Sequence, residues 1–285
     1  MSNPYFPPLQ RLFATLNVLY GMMHVQTTQS KQLAERANRY LATQNKSATG
    51  MPTLFTSTSL FVVDLDGPAW ETVASGGFAA FDADFVSCIT DTADHYAAFI
   101  AAQSFERFES FLWDIIAAAF LVDHGLIITR TWDKYAGKEK IATVGAASTA
   151  QLRAYARYHC RGEKIEPLVL LRAWVPQLAQ VEDANLRSVR LREWFDVFAT
   201  VRHAITHSDC VIAASAVASW TSEHHDHCRR YFPTQTDAES NGHRVTLCEK
   251  QTKDALLVLS DYAFAIYKQL SLRRGVRWDF RQGPV

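Results

Sequence analysis

The sequence predicts an all-α fold, a helical bundle carrying an additional, mainly helical N-terminal segment, and three observations lead there. Phe105, Phe108, Phe111, Leu112, Ile115, Ile116 and Ala119 recur at spacings of three and four, the signature of one buried helical face. Trp194, Phe198, Val201 and Ile205 follow one another at steps of four, three and four, which commits a second helical face to a core. Leu256, Leu259, Tyr262, Ala263, Ile266 and Leu270 line one side of a third helix over residues 247–270.

The remaining elements follow in chain order. Residues 9–41 read as helix, in one piece or two, with a charged and amide-rich second half through Lys31, Glu35, Arg36 and Arg39. Residues 45–52 read as a loop, and 54–66 as a short strand or an irregular extended stretch. Gly76 and Gly77 mark a break, after which 82–102 reads as helical. Ser104 is placed to cap the helix that carries the Phe105 face, and Gly125 to stop it. Residues 129–145, polar and bearing Lys134, Lys138 and Lys140, read as a surface loop or short helix. Helical character resumes over 150–159. Pro167 then opens a helix that ends before Pro176, a position where its missing N–H costs nothing. The helix that carries Trp194 is expected to begin between 183 and 188, and residues 224–242 read as a long polar loop. The tail, with Arg273, Arg274, Arg277 and Arg281, is basic and expected to be loosely ordered. The organisation expected is an N-terminal segment over 1–95 packed on the core, a helical domain over 96–272 and the basic tail over 273–285.

The composition bounds the function. With 285 residues, 48% hydrophobic and 20% charged, the chain is long and apolar enough to bury a sizeable core. Its formal charge is +0, so no broad basic field advertises nucleic acid, and contact with RNA has to come from a local cluster. Cys88, Cys160, Cys210, Cys228 and Cys248 are scattered, odd in number and nowhere arranged as C-x-x-C, the pattern of reduced thiols in a cytoplasmic protein. Residues 12–23 lack a small-residue cleavage site and contain Asn17, so they read as helix and not as a signal sequence. No run approaches the ~18 apolar residues of a membrane span, the nearest being broken by Asp114.

Chemistry concentrates in Arg202-His203-Ala204-Ile205-Thr206-His207, on the helix of the Trp194 face. A guanidinium stays charged and can grip phosphate with a planar fork, while an imidazole exchanges a proton near neutrality. In a straight helix of ~3.6 residues per turn, positions five apart point roughly 140° away from each other, so Arg202 and His207 do not share a face. His203 and His207, at i and i+4, do. Arg202 and His207 converge more easily if two copies of this helix meet across a symmetric interface.

The stretch from Phe198 to His207 resembles the signature of the HEPN superfamily: an arginine, a polar residue, three more residues, then histidine. Upstream, Ser104-Phe105-Glu106-Arg107-Phe108-Glu109-Ser110-Phe111-Leu112 is similar to that family's early helix, where aromatic residues alternate with a carboxylate. The two segments cover the region from about residue 95 to 270, and the first ~95 residues carry no resemblance. The resemblance implies a bundle of about four or five helices, often dimeric, that in active members cleaves RNA without metal or other cofactor. Many members act as toxins or in defence against phage, with an antitoxin or regulatory protein as partner, and others are scaffolds that have lost activity. Carried onto this chain, Arg202 and His207 are the catalytic pair and His203 the polar residue after the arginine.

In such a reaction the 2′-hydroxyl of a ribose attacks the adjacent phosphate, so no external nucleophile is needed. His207 suits the proton transfers, and Arg202 the charge that gathers on the phosphorane oxygens. Glu109 either positions Arg202 or is a solvated carboxylate. Ser208 and Asp209 either cap the next element or touch RNA. Arg273, Arg274 and Arg277 either guide RNA or form a solvated terminus. A metal site is the competing reading, from His203 with His207 and from His224, His225, His227 and Cys228, although no glutamate follows His203 as in the H-E-x-x-H motif.

Overall fold

The computed structural model describes residues 3–43, 54–63, 72–238 and 240–279, and the fold is all-α with two small antiparallel sheets. The chain forms two compact units, Met22–Ala97 on the one hand and Met1–Gly21 with Ala98–Val285 on the other. Helices α1 (Phe6–Thr43) and α2 (Asp82–Val122) each contribute to both units. Residues 45–52 and 64–66, and Arg281, lie outside the described residues.

In the Met22–Ala97 unit, β1 (Phe55–Val63) pairs antiparallel with β2 (Thr72–Phe81). Gly76 and Gly77 therefore do not separate elements. They lie within β2, where the register shifts opposite Ser59 and Phe61, and glycine in a strand commonly marks such an irregularity. Asp82 closes the corner into α2 with a φ of 44°, its N–H donating to the Leu54 carbonyl at 2.9 Å.

The larger unit holds the main core. α2 runs unbroken past Ser104, which is no cap: its buried hydroxyl donates to the Ile100 carbonyl at 2.7 Å, so the helix itself satisfies it. Residues 129–145 are not merely surface. α3 (Thr129–Glu139) buries Trp132, Tyr135 and Ala136, with the Trp132 and Tyr155 rings 5.1 Å apart. α4 (Thr149–Glu163), α5 (Pro167–Trp174) and α6 (Gln177–Asp183) follow, the first opened by a capping box of Ser148 and Gln151.

The helix of the Trp194 face, α7 (Leu191–His207), begins later than the polar run suggests. The Asn185 side-chain amide donates to the carbonyls of Val181 and Val189, locking 184–190 into a turn. After α7 come β3 (Val211–Ala213), α8 (Ala214–Ala218), α9 (Ser222–Tyr231), β4 (Thr234–Asp237) and β5 (Gly242–Val245), then α10 (Glu249–Arg274). Residues 224–242 are thus a helix and two strands, not a long loop. α9 reads as polar because its buried face is His227, Cys228 and Tyr231, and the strands are four residues each. The sheet order is β3-β5-β4, and a Cβ at Gly242 would stand 2.8 Å from the Ile212 carbonyl oxygen, so the pairing requires glycine there.

The basic tail is tied down as far as it is described. Arg273 and Arg274 end α10, their guanidinium groups donating to the carbonyls of Trp174 at 2.8 Å and Val122 at 3.1 Å. The Asn3 amide nitrogen lies within hydrogen-bond distance of Tyr267 Oη, Ser271 Oγ and the Arg277 carbonyl, which ties Asn3 to the end of α10 and the segment after it. Among the described residues no helix is long and apolar enough to cross a membrane.

Candidate functional site

Aromatic packing sets α7 against α2. Phe195 stacks on Phe105 with centroids 4.8 Å apart, and Phe198 meets the same ring edge-on at 5.1 Å. Further along this seam Arg202 Nη2 donates to Glu106 Oε1 at 3.0 Å. The Arg202 side chain is 28% exposed, and its Nε is buried with no acceptor among the described residues. Glu109, one turn beyond Glu106 on α2, faces the same charge. Burial pushes its carboxyl above the usual range, Arg202 opposes that rise and Glu106 adds to it.

Beside this pair opens a groove of about 340 Å³, whose lining includes Arg202, His203, Glu109, Glu166, Asp196 and Trp113. Glu166 and Pro167 contribute from the start of α5, so three helices build the walls. Three carboxylates therefore share one small volume with one arginine and one histidine. An anion that enters to meet Arg202 must draw the guanidinium from Glu106 and tolerate these negative neighbours.

The structure brings Arg202, His203 and Glu109 together and leaves His207 outside the lining of the groove. His207 stands exposed in the last turn of α7, its ring centroid 5.0 Å from that of His203. Ser208 caps α7, its N–H donating to the Ala204 carbonyl, and the Cys210 N–H donates to the same carbonyl at 3.0 Å. Asp209 and Cys210 both take left-handed backbone, with φ of 50° and 63°. The Asp209 side chain is exposed, while its carbonyl accepts from Arg244 at 3.0 Å, so its backbone anchors the end of α7 to the small sheet. Arg273, Arg274 and Arg277 do not line the groove.

Two of the donors on α9, His224 and Cys228, have other occupations. His224 Nδ1 completes a capping box with Thr221, and its other nitrogen lies 3.8 Å from Asp196. Cys228 is buried, its thiol pushed up to about 11 by loss of solvent and donating to the Phe232 carbonyl at 3.2 Å. Among the described residues no three His, Cys, Asp or Glu side chains are grouped to hold a metal ion.

Sequence reasoning passed over Glu106 as the partner of Arg202, and Trp113, Glu166 and Asp196 as walls. One signal was present: Glu106 and Glu109, three apart on a helix, point the same way, so a partner for either lies within reach of both. No protein-family model, curated protein or solved structure matches this chain.

Proposed function

We propose that the protein is a metal-independent endoribonuclease of the HEPN type, with Arg202 and His207 as its catalytic pair and His203 between them. One observation carries this reading. A mostly buried arginine with an unused donor edges a groove and is followed on the same helix by two histidines whose rings lie side by side. In this mechanism Arg202 exchanges Glu106 for the phosphate, and Glu106 holds the guanidinium in place before substrate arrives. His207 removes the 2′-hydroxyl proton or delivers one to the leaving 5′-oxygen, and His203 orients its ring. Arg202 gains most as charge builds on the phosphorane, which lowers the barrier and does not merely tighten binding.

Incubated with RNA in excess chelator, the protein is expected to leave 2′,3′-cyclic phosphate and 5′-hydroxyl ends. Arg202→Ala and His207→Ala should each lower the rate by ~10²–10⁴. Loss of cleavage on chelation, or variants that cleave at the wild-type rate, would overturn the assignment.

A second reading has its own observation. Glu106 already pairs with Arg202, and Glu109, Glu166 and Asp196 line the groove, an arrangement that a non-catalytic binding or scaffold protein also accommodates. Wild-type protein that cleaves no RNA under any of these conditions would favour it.

A further inference from the structure

We infer that the groove beside Arg202 is a subsite for a nucleotide whose base carries an exocyclic amino group, adenine, cytosine or guanine, and that it discriminates against uracil. Its position next to a scissile phosphate rests on the ribonuclease reading; its binding chemistry does not.

The groove makes two electrostatic demands at once. Glu109, Glu166 and Asp196 offer acceptors only, whereas Arg202 offers donors and a positive charge. Glu109 accepts no hydrogen bond from the described residues, and burial already penalises its charge, so an N–H donor brought against it relieves a standing cost. An aliphatic ammonium would answer the carboxylates and be repelled by Arg202. Free phosphate would answer Arg202 and be repelled by the carboxylates. A nucleotide with an amino-bearing base answers both, because its donors and its anionic group sit at opposite ends of one molecule.

The walls favour a flat ring. Trp113, Phe105 and Phe195 line the groove, the two phenylalanine rings stacked on each other. The Arg157 guanidinium lies over the Trp113 ring, 5.8 Å from its centroid, which holds the indole plane in place. Unpaired bases are commonly held by stacking on aromatic faces and read at their edges by hydrogen bonds. A volume of about 340 Å³ is at the small end of the ~300–1,000 Å³ range of small-ligand sites, enough for one base and its sugar and too little for a stacked pair. Uracil has no amino group, and its single ring N3–H is flanked by two carbonyl oxygens that face carboxylates unfavourably. Cytosine, adenine and guanine each present an NH₂ that a carboxylate accepts.

The test is calorimetric titration of the whole protein with AMP, CMP, GMP, UMP, inorganic phosphate and 1,4-diaminobutane, alongside cleavage of RNAs that vary one base beside the cut. At least one amino-bearing nucleotide should bind ~5-fold or more tighter than UMP, the low end of a base-reading contact, with phosphate and the diamine weaker than any nucleotide. Glu109→Gln, whose amide can both donate and accept, should erase the discrimination against UMP. Trp113→Ala should weaken all four nucleotides ~5-fold or more through lost stacking, with far-ultraviolet circular dichroism unchanged in both variants. Equal binding of UMP, binding of the diamine as tight as that of the nucleotides, no nucleotide binding, or discrimination that survives Glu109→Gln would each overturn the subsite. Cleavage without base preference would remove the subsite and leave the nuclease. Discriminating binding without cleavage would remove the nuclease and leave the subsite.

Discussion

Arg202 occupies an intermediate state: too buried to be a solvated surface charge, too incompletely paired to be a structural one. Glu106 takes one edge of its guanidinium and the Nε finds no acceptor among the described residues. Glu109 completes the trio at a cost, since its carboxyl is held above the usual range by burial first, against the pull of Arg202. The sign follows from linkage. A carboxyl raised in the folded state contributes stability that is fully present below its unfolded value and lost as pH rises through the folded one. Glu109→Gln should therefore be more stable than wild type at pH 7. The gain is at most ~1 kcal/mol, because the half-exposed carboxyl is screened by solvent. It should vanish once pH falls below the ordinary Glu value of ~4.3. Urea midpoints at pH 7 and pH 4 read this directly, and a variant less stable at pH 7 would show that the attraction to Arg202 outweighs burial. Residue types and the family resemblance singled out Arg202, His203 and His207, and left Glu109 as either a partner of Arg202 or a solvated carboxylate. They did not identify which glutamate holds the arginine, because Glu106 and Glu109 share a helix face and only the axial offset of α2 against α7 selects between them.

At the scale of elements, α7 is fixed along its length and at its C-terminal end, which is what puts the histidines at a defined edge. Trp194 and Phe198 anchor its buried face against Phe232, and the left-handed turn at Asp209 and Cys210 ties its end to β5. A second device joins α5, α6 and α10. Arg172 Nε donates to Glu182 Oε2 at 2.7 Å, and Tyr262 Oη donates to the other oxygen of this 3%-exposed carboxylate. Glu182→Ala should cost ~3–5 kcal/mol, because it strands a mostly buried guanidinium, and Arg172→Met in the same chain should recover part of that loss. Chemical denaturation of the two single variants and the double variant measures it; a cost below ~1 kcal/mol would show that water replaces Glu182 freely. α9 shows why some elements stay hidden in sequence. Its buried positions are taken by a histidine, a cysteine and a tyrosine, so the period of 3.6 is present but not written in aliphatic residues.

At the scale of the whole molecule, the ~140° between positions five apart on a helix sends Arg202 toward α2 while His207 stands exposed beyond the groove. A composite site, with arginine from one copy and histidine from another, reconciles that divergence with the proposed chemistry. If the protein is a dimer of this kind, inactive Arg202→Ala and His207→Ala proteins, mixed and allowed to exchange subunits, should regain about one quarter of wild-type cleavage, since half the dimers are mixed and one of their two sites is intact. No recovery, with exchange verified by mass, would place both residues of a working site in one chain. The sequence by itself determined the all-α class, the three buried helical faces and the placing of the arginine and histidines on an amphipathic helix. Those properties are local, repeating every three or four residues where any window displays them. Only the tertiary structure decided that α2 is continuous through Ser104, that Met1–Gly21 joins the unit of Ala98–Val285, and that Glu106 holds Arg202 beside a carboxylate-lined groove. Each of these depends on which distant side chains share a space, and the packing of whole helices settles that in a way no single stretch of chain encodes.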